Sequence, residues 1–335
     1  MKEAYLYSKI DKLKVKCNLC MHNCIISEDN KGKCFARINK NGTLFSMIYD
    51  KLIAENVDPI EKKPLFHFFP GSYSYSIAAP GCNFQCFFCQ NFEISQLDNT
   101  DKILNSSHYA SPESIVRNAV TYGCKSIAYT YTEPTVYFEL SYDTAVIAKK
   151  NNIANVFVTN GFMSKEAIDM INPYLDAANI DLKSFSNDFY RKYLKARLTP
   201  VLENIEYVFK LGIWLEVTTL LIPGLNDSDR EIEGIADFIS SISKYIPWHV
   251  SAYYPNYKSN IAPTDSETVF NAVKIGKDAG LRYVYAGNIL NNSFEDTYCS
   301  SCGKLLIKRS GYNIISNHLK NNICPKCSYP LHGFF

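Results

Sequence analysis

At 335 residues the chain is long enough for roughly two structural units and a sizeable core without covalent staples. Its 12 Cys are too few for a disulfide scaffold and more than packing requires, which points to metal. A formal charge of +2, from 35 Lys+Arg and 33 Asp+Glu, argues against nucleic acid or an anionic membrane as the main partner. In chain order, Met1–Leu13 alternates charge with isolated apolar residues and lacks the apolar core of a signal peptide. No later stretch approaches about 18 uninterrupted apolar residues, so a cytoplasmic protein with reduced thiols is expected. Cys17, Cys20, Cys24 and Cys34 come next, four ligands whose irregular spacing suits a zinc site or a cluster, with His22 between them as a substitute ligand.

From residue 73 onward, short β-branched and aromatic runs alternate with longer periodic segments. Strands are expected at Tyr73–Ala78, Ser126–Tyr131, Asn155–Thr159, Ala178–Leu182, Trp214–Leu221 and His249–Tyr254, with a weaker seventh at Tyr283–Ala286. Helices are expected at Pro112–Tyr122, Val136–Lys150, Lys165–Asn172, Asp188–Leu194, Leu202–Leu211, Asp229–Lys244 and Glu267–Ala279, the first capped by Ser111 and the last ended by Gly280. This alternation predicts an α/β fold with right-handed crossovers, either an open doubly wound sheet or a full or partial barrel. No Gly-x-Gly-x-x-Gly follows the first strand. The turn reads Pro80-Gly81-Cys82-Asn83-Phe84-Gln85-Cys86-Phe87-Phe88-Cys89 instead.

Cys82, Cys86 and Cys89 put three thiolates on one short loop. A closed zinc site takes four protein ligands, whereas three thiolates on a 4Fe-4S cubane leave one iron open for chemistry. The alternative is a zinc or electron-transfer site completed by Cys124 or His108; Cys124 by itself reads as a buried small hydrophobe. The Cys-x3-Cys-x-aromatic-Cys spacing, with Phe88 before the last Cys, resembles the signature of the radical S-adenosylmethionine superfamily. That resemblance implies a partial (β/α)6 TIM-like barrel with the cluster loop after the first strand, where this loop stands. It also implies a 4Fe-4S cluster that reductively cleaves S-adenosylmethionine to methionine and a 5′-deoxyadenosyl radical. Catalytic residues are not assigned beyond the cluster.

The same resemblance implies the groups that hold S-adenosylmethionine. Glu133 lies in Tyr131-Thr132-Glu133-Pro134, at the place of the superfamily's Gly-Gly-Glu-Pro. Thr159, Asn160, Asp181 and Lys183 lie in Thr159-Asn160-Gly161 and Asp181-Leu182-Lys183, which resemble motifs of pyruvate formate-lyase activating enzymes. There Val158 replaces the Asp associated with a monovalent cation, and His249 stands where that group has a ribose-binding His. Location alone suggests His67, Tyr75, Tyr131 and Tyr254 as substrate-facing.

At the far end, Cys299, Cys302, Cys324 and Cys327 form two Cys-x2-Cys hooks joined by a β-like segment, Leu305–Ile315. This pattern predicts a closed zinc ribbon, with an auxiliary iron-sulfur cluster as the competing reading. The chain is divided into an N-terminal four-cysteine module and lead-in (1–70), a barrel (71–290) and a C-terminal ribbon-like module (291–335). Cys17-Asn18-Leu19-Cys20-Met21-His22-Asn23-Cys24, the stretch Glu61–Ser72, the Gly81-Cys82-Asn83-Phe84 loop and the ribbon together resemble the radical enzyme of the AmmeMemoRadiSam system. That family implies hydrogen abstraction from a substrate linked to a Memo-like partner, the company of an AMME-region protein, and a flavodoxin or ferredoxin as electron donor. Two other functions stand beside it: a glycyl-radical enzyme activase and a non-enzymatic zinc-rich binding module.

Overall fold

The computed structural model describes residues 1–96, 106–289 and 293–335. Eight strands make the main sheet: β1 (Ala54–Pro59), β2 (Tyr73–Ala78), β3 (Ser126–Tyr129), β4 (Ala154–Thr159), β5 (Ala177–Asp181), β6 (Trp214–Leu221), β7 (Trp248–Ala252) and β8 (Val284–Gly287). They lie side by side in sequence order from β8 to β1. β1 is antiparallel to β2, and every other neighbouring pair is parallel. Helices α1 (Pro112–Thr121), α2 (Phe138–Lys150), α3 (Lys165–Ile171), α4 (Thr199–Lys210), α5 (Asp229–Ile242) and α6 (Ser266–Asp278) connect the parallel strands. Before α4, the turn Asn187–Phe189 runs into a π-helical stretch, Tyr190–Leu194. Six βα units and a seventh parallel strand are therefore present among the described residues. Among the described residues the edges β1 and β8 do not pair with each other, so the sheet does not close into a full barrel.

The helices begin where side chains satisfy the first free N–H groups. Ser111, Ser164 and Ser228 accept from Ser114, Ala167 and Glu231, and Asp265 from Glu267. Along α5 the buried residues are Ile232, Ile235, Ala236 and Ile239, one face at helical spacing. Each such isoleucine contributes about 1.5–3 kcal/mol by leaving water.

β1 was not among the expected strands, because Ala-Glu-Asn-Val-Asp-Pro lacks a β-forming composition. It forms through pairing with β2 along its whole length, from Ala54↔Ala78 to Pro59↔Tyr73. Asp58 is held inside by Lys63 at 2.7 Å and by the Tyr131 hydroxyl. β1 thereby brings part of the expected lead-in into the main sheet. The expected boundary at 290/291 lies outside the described residues.

The sheet has a distinct floor and rim. At the floor, Ile60, Leu65 and Phe68 pack on Ala128, Val156 and Ala177. The C-terminal hairpin, Leu305–Ser310 with Asn313–Asn317, docks on the same segment. Arg309 donates to the Phe66 carbonyl at 2.9 Å, and Phe334 N–H donates to the His67 carbonyl at 2.8 Å. At the rim, two small antiparallel sheets from residues 2–46 cap the strand ends. Met21 N–H donates to the Phe162 carbonyl and Ser164 N–H to the Leu19 carbonyl, just past β4. Among the described residues no helix is long and apolar enough to cross a membrane.

Candidate active site

The loop after β2 leaves the sheet at Ala78 and turns at Gly81, whose φ of 107° suits glycine. Aromatic side chains fix its path. Phe84 is buried edge-on against Phe162 and Tyr190, Phe87 packs on Tyr193, and Phe88 packs on Phe189. Backbone bonds tie Gln85 N–H to the Leu194 carbonyl and Lys258 N–H to the Phe87 carbonyl. Phe84 N–H points at Cys82 Sγ at 3.3 Å, and Cys89 Sγ lies 3.1 Å from Ser95 Oγ. Burial pushes the Cys86 thiol up to about 12, with the Lys183 charge opposing it. Burial, reinforced by Glu133, raises Cys82 as well. Thiols this costly to ionise become ligands when a metal supplies the positive charge.

Glu133, Thr159 and Asn160 form one network beside this loop. Glu133 Oε1 accepts from Thr135 N–H at 3.1 Å, Thr135 Oγ1 at 2.6 Å and Thr159 Oγ1 at 2.7 Å; Oε2 accepts from Asn160 N–H at 2.8 Å. The carboxylate thus clasps the ends of β3 and β4, and burial raises its pKa against those donors. Asn160 Nδ2 donates to Asn83 Oδ1 at 2.7 Å and lies 3.8 Å from Cys82 Sγ, which carries the network into the cysteine loop.

Asp181 ends β5 and pairs with Lys183 at 2.8 Å. Lys183 N–H donates to Tyr190 Oη, the residue that packs on Phe84. Burial opposes the Lys183 charge, yet Asp181 and Cys86 hold its pKa above the ordinary value. Beside Asp181 in strand register, Thr218 Oγ1 is buried with no hydrogen-bond partner; the Ser76 hydroxyl on β2 is likewise orphaned. The loop thus combines three thiols with a charged pair and unfilled polar positions, a donor set that fits a site-differentiated cluster and a zwitterionic co-substrate.

His249 belongs to a separate network. Its Nε2 is 2.6 Å from Glu216 Oε2, and its ring meets Phe66 edge-on and stacks on Tyr285. Glu216 also accepts from Phe66 N–H, His67 N–H and Trp214 Nε1, and despite complete burial its contact with His249 keeps its pKa lowered.

Of the residues suggested by location as substrate-facing, Tyr75 and His67 are corrected. Tyr75 is buried with its hydroxyl on Asn118 of α1 and its ring stacked on Tyr122. Tyr131 turns to Asp58, and His67 is fixed between the His332 carbonyl and Tyr285. Tyr254, exposed just past β7, bonds the Asn288 carbonyl and stays beside the cysteine loop, where its own carbonyl accepts from Gln90 Nε2 at 3.0 Å. Cys124 and His108 do not complete the triplet. Cys124 is buried before the start of β3, the opposite end from the loop, and His108 is turned to Glu55 at 3.5 Å. Sequence reasoning missed Asn83 and Tyr190; the aromatic content of the loop was their one visible signal.

At the C-terminus, Cys299, Cys302, Cys324 and Cys327 have sulfurs all within 4.8 Å of one another. Cys299–Cys327 is 3.6 Å and Cys302–Cys324 is 3.7 Å. Four thiolates on one tetrahedral ion with bonds of about 2.3 Å stand about 3.8 Å apart, so the quartet has single-ion spacing.

Comparison with known proteins places this geometry. The radical SAM superfamily model matches residues 76–239. The protein MJ0808 of Methanocaldococcus jannaschii is 44% identical over 331 residues, covering 98% of each chain. GTP 3′,8-cyclase of Helicobacter pylori (strain ATCC 700392 / 26695) is 31% identical over 160 residues, 44% of this chain and 46% of that one. A radical SAM methyltransferase from Sphaerobacter thermophilus superposes with TM-score 0.53 at 14% identity, covering 91% of this chain and 80% of that one. Streptococcus suis SuiB bound to S-adenosylmethionine gives TM-score 0.52 at 15% identity, with 68% and 53% covered. At these identities the structural likeness establishes the fold.

Proposed function

Because the chain belongs to one family with the Methanocaldococcus protein and carries a radical SAM superfamily domain, we propose that it is an AmmeMemoRadiSam-type radical enzyme that abstracts hydrogen from a substrate linked to a Memo-like partner. The observation that carries this reading is the loop itself: three buried or half-buried thiols on one turn, with Cys124 and His108 both placed elsewhere. When bound there, a 4Fe-4S cluster supplies the electron that cleaves S-adenosylmethionine to methionine and a 5′-deoxyadenosyl radical.

The chain's own residues position and shield. Lys183, its charge secured by Asp181, meets the carboxylate of S-adenosylmethionine. Glu133 Oε2, with one donor in place, has a lone pair left for the ammonium. Thr159 and Asn160 are held by Glu133 and set the edge of the site, while His249, with Nε2 taken by Glu216, offers Nδ1 to the ribose. Phe84, Phe87 and Phe88 exclude water around the loop. The C-terminal quartet holds Zn2+ and stabilises the floor. A flavodoxin or ferredoxin delivers the electron.

The test uses a perdeuterated Memo-like protein with the small molecules it carries, mixed with reduced, reconstituted enzyme and S-adenosylmethionine. Deuterium in the 5′-deoxyadenosine is the expected result. Unlabelled product, formed at the rate seen without the partner, contradicts the reading. A glycyl radical signal on a candidate partner protein supports the activase function instead.

A further inference from the structure

The N-terminal quartet differs from the C-terminal one in a measurable way. Cys17, Cys20, Cys24 and Cys34 line one small cavity, together with His22, Arg37 and Asn83. Yet among the described residues it is the C-terminal quartet whose sulfurs all gather within 4.8 Å; no three of the N-terminal ones do. One zinc ion draws four sulfurs to about 3.8 Å, whereas a cubane keeps each thiolate on its own iron and so holds them farther apart. The N-terminal sulfurs thus surround a space, and the C-terminal ones surround a point.

The lining of that space carries a second sign. Arg37 is 1% exposed and forms a two-pronged pair with Glu139, through NH1 at 2.8 Å and NH2 at 2.6 Å, but its Nε has no partner. Asn83 is 4% exposed; its Oδ1 accepts from Asn160, and its Nδ2 has no partner. Two buried N–H donors lining the same four-cysteine cavity are thus unsatisfied, a state that costs about 1–3 kcal/mol per group. The sulfides and thiolates of an iron-sulfur cluster accept such N–H bonds, which also tune its potential. His22 is no competing ligand through Nε2, since that atom lies 2.7 Å from the Asn83 carbonyl.

We infer that Cys17, Cys20, Cys24 and Cys34 hold a second 4Fe-4S cluster, with Arg37 Nε and Asn83 Nδ2 donating to its sulfurs. Four thiolates on four irons leave no open position, so this centre exchanges electrons and does not bind S-adenosylmethionine. Asn83 directly follows Cys82, which puts the two centres on either side of one residue. The inference does not depend on the function assigned to the Cys82 loop.

The experiment is metal analysis of the full chain after anaerobic reconstitution with iron and sulfide in the presence of zinc. The wild type is expected to hold about eight irons and about eight sulfides, two cubanes' worth. The combined Cys82→Ala, Cys86→Ala and Cys89→Ala variant should retain about four irons with the resonance of a reduced cubane, and Cys17→Ala with Cys34→Ala should remove the other four. In the triple-variant background, Asn83→Ala should lower the midpoint potential of the remaining cluster by removing an N–H donor. A triple variant devoid of iron, with a zinc ion at each quartet, overturns the inference even if the N-terminal double variant fails to fold. Iron absent from the N-terminal variant but retained in the triple variant contradicts only the reading of the Cys82 loop.

Discussion

Replacing Glu133 by Gln separates two roles for this carboxylate, clasping β3 to β4 and binding a cofactor. The native group takes three donors on one oxygen and one on the other. With an amide, three bonds to a charged acceptor become bonds to a neutral one, each weaker by about 1 kcal/mol, and the new NH2 faces the N–H of Asn160 at a further cost of about 1–2 kcal/mol. Burial raises the carboxyl pKa, so neutralisation returns part of that loss. The net expectation is a destabilisation of about 2–3 kcal/mol. It should be accompanied by weaker iron retention at the Cys82 loop, because Asn160 holds Asn83. Urea unfolding of the anaerobically reconstituted variant, with iron content and S-adenosylmethionine binding on the same sample, measures all three. Unchanged stability and iron with binding abolished would refute the clasp and make Glu133 purely a cofactor ligand.

Three further outcomes are expected. Gly161→Ala should destabilise by about 2 kcal/mol in thermal unfolding, since φ is +71° and the added Cβ would meet Ile180 Cγ2 at 2.7 Å. Glu139→Ala leaves Arg37 as an unpaired buried charge and should cost about 3–5 kcal/mol in urea unfolding. Burial pushes the His67 imidazole down to about 4 from 6.5, so the unfolded chain takes up a proton that the folded chain refuses. Stability should therefore fall as pH drops from about 6.5 to about 4, by up to ~3 kcal/mol, and His67→Gln should flatten that slope in a pH series of urea midpoints.

Much of the sheet was readable because its strands are short, buried and rich in β-branched and aromatic residues. Runs such as Asn155–Thr159 and Trp214–Leu221 carry Val, Phe, Thr and Leu at strand length. The weak seventh strand is real, while β1 was invisible because its stability comes from pairing with β2 and from the Asp58–Lys63 contact rather than from composition. The cysteine spacing marked all three thiol clusters. It does not separate a point from a space, since C-x2-C hooks serve one ion or four irons equally; that distinction required sulfur positions. Tyr75 failed as a site marker for a related reason. Alternation along a strand tells which residues share a face, but Tyr75 shares its face with α1 and not with the interior of the sheet.

The central claim is tested most directly by the products formed from S-adenosylmethionine. Reconstituted, dithionite-reduced wild type should yield 5′-deoxyadenosine and methionine in equal amounts by mass spectrometry, and Cys82→Ala, Cys86→Ala and Cys89→Ala should each yield none. A wild-type chain that holds iron and sulfide at this loop, binds S-adenosylmethionine, and releases no 5′-deoxyadenosine after reduction would contradict it.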